Sequence, residues 1–120
     1  MSCAVWRDYG HIPSDDFLMS HVQGYTLPVN AACYRTLGPW NTDEIPTGLK
    51  GQHQLKAGSW AVIKILSGKI DFVWDDESAK PAITLEARME LTVPPLVLHH
   101  LVPDGPVAMT LSFYREGQTV

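Results

Sequence analysis

The stretch Trp60-Ala61-Val62-Ile63-Lys64-Ile65-Leu66-Ser67-Gly68-Lys69-Ile70-Asp71-Phe72-Val73-Trp74 carries the clearest structural signal in the chain. From Trp60 to Leu66 every residue except Lys64 is apolar, the pattern of a strand covered on both faces. After Ser67 and Gly68, the apolar residues Ile70, Phe72 and Trp74 recur at a period of two, with Lys69 and Asp71 between them, as in a strand with one dry and one wet face. The Ser-Gly pair predicts a turn, so the stretch reads as a hairpin whose polar end is Asp75, Asp76, Glu77 and Ser78.

The same period extends on both sides. From Ile45 to Leu55 the odd positions Ile45, Leu49, His53 and Leu55 fall on a drier face, and Gly48, Lys50, Gln52 and Gln54 on a wetter one. Lys56, Ala57 and Gly58 make a turn into the central stretch. Further strands are predicted at Ala82 to Glu86, Glu90 to Val93, Leu98 to Val102 and Val107 to Tyr114, with Val107, Met109, Leu111 and Phe113 sharing one face. About eight short strands with no helix between them point to a closed all-β sandwich or barrel, because an open sheet of this kind leaves long unprotected edges. A jelly-roll barrel fits best. The one helical candidate is a short peripheral segment from Ser14 to Val22, with Ser14 as cap and Asp15 and Asp16 in its first turn.

The chain has 120 residues, enough for one domain. We divide it into an extension, residues 1–26, lying on or beside a barrel of residues 27–120. Charged residues make up 18% against 45% hydrophobic, so a surface covered by a second copy of the chain is expected. Nine Lys and Arg residues, scattered singly in a chain of net charge −4, give no basic patch for nucleic acid. No apolar run is long enough for a membrane helix, and Arg7 and Asp8 stand where a signal peptide needs an apolar core, so a cytoplasmic location is expected. In that compartment Cys3 and Cys33 are expected to be unlinked, one a near-terminal thiol and the other a small buried side chain.

His53 is the first chemically unusual residue, because an imidazole facing a barrel interior needs a partner for each ring nitrogen. The pair His99 and His100 is the second. Adjacent strand residues point to opposite faces, so one of the two can share an interior with His53 while the other faces outward. Two convergent imidazoles, completed by water, a carboxylate or an amide, suit an open Zn, Fe, Ni or Mn site. The plainer alternative is a pair of buried imidazoles hydrogen-bonded to backbone or water. Asp75, Asp76 and Glu77 read as a solvated acidic turn, and no serine or cysteine nucleophile has its signature.

The run Pro94-Pro95-Leu96-Val97-Leu98-His99-His100-Leu101-Val102-Pro103-Asp104-Gly105-Pro106-Val107, ending in Phe113-Tyr114-Arg115, resembles the C-terminal half of the small cupins described as tellurite-resistance-related proteins. Upstream, Gly48-Leu49, His53, Lys56, Gly58, Trp60, Leu66, Gly68, Ile70 and Phe72 keep the order and similar spacing of that family. The resemblance runs from about Leu27 to Arg115. It implies a cupin double-stranded β-helix, usually dimeric, holding a metal or small ligand within the barrel by histidine side chains. It also implies that His53 takes the first ligand position of the cupin pattern and His99 the last. The second histidine of the first cupin motif is replaced here, Leu55 being nearest, and Trp60 stands near the place of its glutamate. Arg88 or Ala87 replaces a usual glycine in the second motif.

Three functions are compatible with these residues. The first is a small cupin-type protein, in stress response or detoxification, that binds a divalent metal or small ligand at His53 and His99, with Leu55, Trp60 and Phe72 around the pocket. The second is a metal-dependent cupin enzyme of oxygenase or isomerase type. The third is a metal-free interaction or sensor module whose barrel is filled by Trp and Leu side chains.

Overall fold

The computed structural model describes residues 21–22, 25–76 and 80–117. Its strands are β1 (His21–Val22), β2 (Ala32–Asn41), β3 (Ser59–Trp74), β4 (Ile83–Glu86), β5 (Glu90–Val93) and β6 (His99–Arg115), with two short 3-10 turns, Thr42–Glu44 and Thr47–Lys50, between β2 and β3. Sheet order is β1-β5-β3-β6-β2, and β4 also pairs with β3. All pairings are antiparallel except the short β1–β5 contact, where His21 and Val22 lie opposite Glu90 and Leu91. This is an all-β jelly roll. Most of the helix expected over Ser14 to Val22 lies outside the described residues; its last two residues are β1.

β3 and β6 are the spine, and here the structure corrects the sequence reading. Ser67 and Gly68 do not turn the chain back. β3 runs through them as one 16-residue strand, and β6 runs through Asp104-Gly105-Pro106 as one of 17 residues. The two strands pair from Ser59↔Arg115 to Trp74↔His99, with register shifts between Ile65 and Ser67 and between Gly68 and Ile70. Gly68 has φ +73°, and a Cβ there would stand 2.0 Å from the Pro106 carbonyl oxygen. The small-residue signal therefore marks opposed bulges at which both strands bend, rather than a hairpin. β4 and β5 follow the bend, pairing with Lys69–Phe72 and Ala61–Lys64 respectively.

The bulge also shifts the in-out alternation. Ala61, Ile63 and Ile65 face the core before it; Ile70, Phe72 and Trp74 face the core after it. Leu85, Leu91, Val93, Leu101, Val107, Met109 and Leu111 complete the core. Val62, Thr92, Ser112 and Tyr114, on the other face of the sheet, are buried too, so the strand expected to be covered on both sides is so at Val62. At one end of the core Trp74 packs edge-on against Phe72, ring centroids 4.6 Å apart, and Tyr25 lies 5.6 Å beyond.

Two more expectations are corrected. Residues 45–55 do not form a strand: the 3-10 turn Thr47–Lys50 takes up the middle of the segment, and only His53 bridges to a strand. Ile45 is nevertheless buried, and Leu49 and Leu55 pack on the core, because the 3-10 turn leaves these residues directed inward. Cys33 is disulfide-bonded rather than a buried thiol. It lies half-buried on β2, the strand at one end of the sheet order, where a sulfur stays within reach of a partner. The other cysteine of the sequence, Cys3, lies outside the described residues.

Candidate functional site

His53 and His99 form an isolated antiparallel bridge. Each backbone N–H donates to the other residue's carbonyl, His53 to His99 at 3.0 Å and His99 to His53 at 2.9 Å. Residues opposed in this way carry their side chains on the same face, so the backbone alone brings the imidazoles together. The ring centroids lie 4.2 Å apart, edge toward face at 69°.

Each ring then turns back on the backbone segment that precedes it. His53 Nδ1 donates to the Gly51 carbonyl at 2.8 Å, and His99 Nδ1 to the Val97 carbonyl at 2.7 Å. A carbonyl only accepts, so each Nδ1 carries the hydrogen, and in the neutral ring Nε2 holds the lone pair. His99 is 4% exposed, and burial lowers its pKa to about 4 against the smaller opposing effect of the Val97 carbonyl. It is therefore a neutral base near pH 7. Phe72 stacks on its ring at 5.0 Å and 18°.

The two imidazoles line a cavity of about 40 Å³. Its other walls are apolar and include Leu49, Leu55, Ile63, Val93, Leu111 and Phe113. Such a volume holds one or two waters or an ion, far less than the roughly 300–1,000 Å³ of a pocket for a larger molecule.

Of the residues singled out in the sequence, His53, His99 and Leu55 meet at this cavity. Phe72 lies behind His99 and supports its ring. Trp60, expected beside His53, instead lies on the opposite face of β3 from Ala61 and Ile63, and its Nε1–H donates to Glu116 Oε2 at 3.3 Å. The period-two alternation that carries Ala61 inward carries Trp60 outward. His100 likewise points away, its Nδ1 2.6 Å from Asp75 Oδ2, so Asp75 is a partner for an imidazole rather than part of a merely solvated turn.

Sequence reasoning missed the carbonyls of Gly51 and Val97. The signal that could have revealed them is the shared spacing, each two residues before its histidine. It also missed the walls contributed by Val93, Leu111 and Phe113, which come from strands distant in sequence.

Two Nε2 atoms aimed by backbone hydrogen bonds are the donor chemistry that suits an imidazole-binding ion such as Zn, Fe, Ni or Mn. They supply two positions of a coordination sphere. Among the described residues no group of three or more His, Cys, Asp or Glu side chains is placed to hold a metal.

No curated protein sequence matches the chain. Among solved structures, TehB from Haemophilus influenzae aligns with 73% of this chain at 23% identity and a TM-score of 0.66, the chain spanning about a third (32%) of TehB. A protein of E. coli strain K12 aligns at 21% identity and a TM-score of 0.69, over 81% of this chain and 93% of its own. A cupin-2 domain containing protein from Shewanella frigidimarina aligns over 88% of this chain and 96% of its own, at 12% identity and a TM-score of 0.46. The model of the TehB-like domain matches residues 35–111, well over half of the chain, which therefore belongs to the TehB-like domain family.

Proposed function

We propose that this chain is a small binding protein that holds a divalent metal ion, with water completing its coordination, between His53 and His99 inside the barrel. The observation that carries the reading is the pairing of each Nδ1–H with a carbonyl two residues upstream, which leaves two Nε2 lone pairs in one apolar cavity. Lone pairs without a positive group beside them bind a Lewis acid or a hydrogen-bond donor and repel an anion. A bound ion would act as that Lewis acid, and the chain's own part is to fix the two tautomers and exclude bulk water. A role in stress response or detoxification agrees with the tellurite-resistance-related cupins that the sequence resembles. We further propose a homodimer, on the low charged fraction and on exposed Leu66 and Val102 on the two spine strands.

A second reading, a metal-free sensor or interaction module, is favoured by Leu55, an apolar side chain on the cavity wall. There the histidine pair would hold a water. An oxygenase or isomerase acting on a larger substrate is disfavoured by the cavity volume. Elemental analysis of protein purified without an affinity tag or chelator separates the readings. Metal near one equivalent in the native protein, lost in both His53→Ala and His99→Ala, supports the first. Metal-free protein that takes up no added Zn, Ni, Fe or Mn supports the second.

A further inference from the structure

Leu96 has φ +63°, the left-handed region that leucine rarely adopts. Its side chain does not account for this, being 57% exposed. The residue thus combines an unfavourable backbone with an apolar side chain turned toward water, and the reason must lie in what its backbone does for its neighbours. Its N–H donates to the Leu55 carbonyl at 2.8 Å, tying the loop to the cavity wall. Two residues on, the Leu98 carbonyl accepts from Asp75 N–H at 2.7 Å, and the next residue, His99, is locked to His53. Between these anchors the Val97 carbonyl is left facing His99 Nδ1.

We infer that Leu96 is a positioning residue for His99: its left-handed backbone aims the Val97 carbonyl at Nδ1, which keeps Nε2 free of hydrogen and directed at the ligand site. The inference deepens the binding function proposed above and rests on it for its purpose, but the geometry it asserts exists without any ligand. His53 is the internal control, because its Nδ1 is held by Gly51 on a separate segment.

The test compares Leu96→Gly and Leu96→Asn, which accept a positive φ, with Leu96→Val, which resists it. Imidazole ¹⁵N shifts, read at neutral pH on protein stripped of metal, report which nitrogen of each ring carries hydrogen. The Gly and Asn variants should keep His99 in the Nδ1–H form. Leu96→Val should give His99 a mixed tautomer while His53 stays as it was, and should weaken Zn binding about tenfold. If Leu96→Val does not fold, Leu96→Thr, β-branched but polar at this exposed position, should show the same tautomer change. An unchanged His99 tautomer in a folded Val or Thr variant overturns the assignment, whether or not Zn binds. A tautomer change in a protein that binds no Zn even as wild type upholds the positioning role and sinks the metal reading instead.

Discussion

Phe72 and His99 lie stacked, ring centroids 5.0 Å apart and planes 18° from parallel, with Phe72 completely buried beneath the imidazole. The aromatic ring both holds the imidazole plane and keeps water from one of its faces. Phe72→Ala should therefore have two effects. It should cost about 3–5 kcal/mol of stability, the range for truncating a buried aromatic ring, as measured by urea denaturation. It should also raise the His99 pKa from about 4 toward 6.5, since burial is the main cause of the depression. A His99 titration that stays where it is would show that other neighbours supply the desolvation.

The lowered pKa of His99 fixes a pH dependence with a definite sign. Above pH 6.5 the ring is neutral in both folded and unfolded chains and contributes no pH dependence. Between pH 6.5 and about 4 the unfolded state takes up a proton that the folded state does not, so the folded state loses stability as pH falls; below about 4 both are protonated and the loss levels off. The full loss amounts to about 3 kcal/mol at one pKa unit per 1.36 kcal/mol. Other groups titrate in the same window, so the useful quantity is the difference between wild type and His99→Gln. The variant should lose stability less steeply from pH 6.5 to 4 in parallel denaturant titrations; equal slopes would mean that His99 titrates normally in the fold.

Gly68 and Gly58 both have positive φ, +73° and +83°, but only Gly68 has backbone against it, the Pro106 oxygen. Alanine at Gly58 meets open space and should cost about 1 kcal/mol for the left-handed conformation alone. Alanine at Gly68 must push the two spine strands apart and should cost more than about 4 kcal/mol or prevent folding. Thermal unfolding of the two variants side by side tests whether the opposed bulges hold the barrel's bend. Similar melting temperatures would argue against that.

The contrast between these two glycines also shows where the sequence was legible and where it was not. Period-two alternation identified the inward trio Ile70, Phe72 and Trp74 of β3, because burial on one face leaves a local trace in every second residue, while β4 and β5 were legible from the Pro, Gly and charged residues that bound them. A glycine in a bulge and a glycine in a turn leave the same trace, since both require a positive φ. What separates them is the strand opposite, here the Pro106 region some forty residues later, and that is not local information. β2 went unread because its half-exposed residues carry no clear alternation. At the site, alternation placed His53 inward, and the resemblance to cupins supplied His99. The mutual hydrogen bonds of the two histidines followed only from pairing between distant segments, whereas the outward side of Trp60 follows from alternation once Ala61 and Ile63 are known to face the core.

Leu55 lines the cavity with His53 and His99, and it lies nearest to the position where the cupin pattern has a further histidine. Leu55→His should therefore turn a two-imidazole site into a three-imidazole one. Without metal the variant should be less stable than wild type by about 1–3 kcal/mol, because the new ring's N–H can meet a neighbouring Nε2 lone pair but its own lone pair enters the cavity with no donor to meet it. With Zn it should gain more than wild type does, since a ligand that binds only the folded chain stabilises it in proportion to affinity. An increase in Zn affinity of tenfold or more, about 1.4 kcal/mol, is the expected result by calorimetric titration. The melting temperature with and without Zn gives an independent check, and His53→Ala in the Leu55→His background should abolish the gain. A variant that folds yet binds Zn no better than wild type would mean that position 55 does not converge on the two Nε2 atoms, and the metal-free reading of the barrel would then be the stronger one.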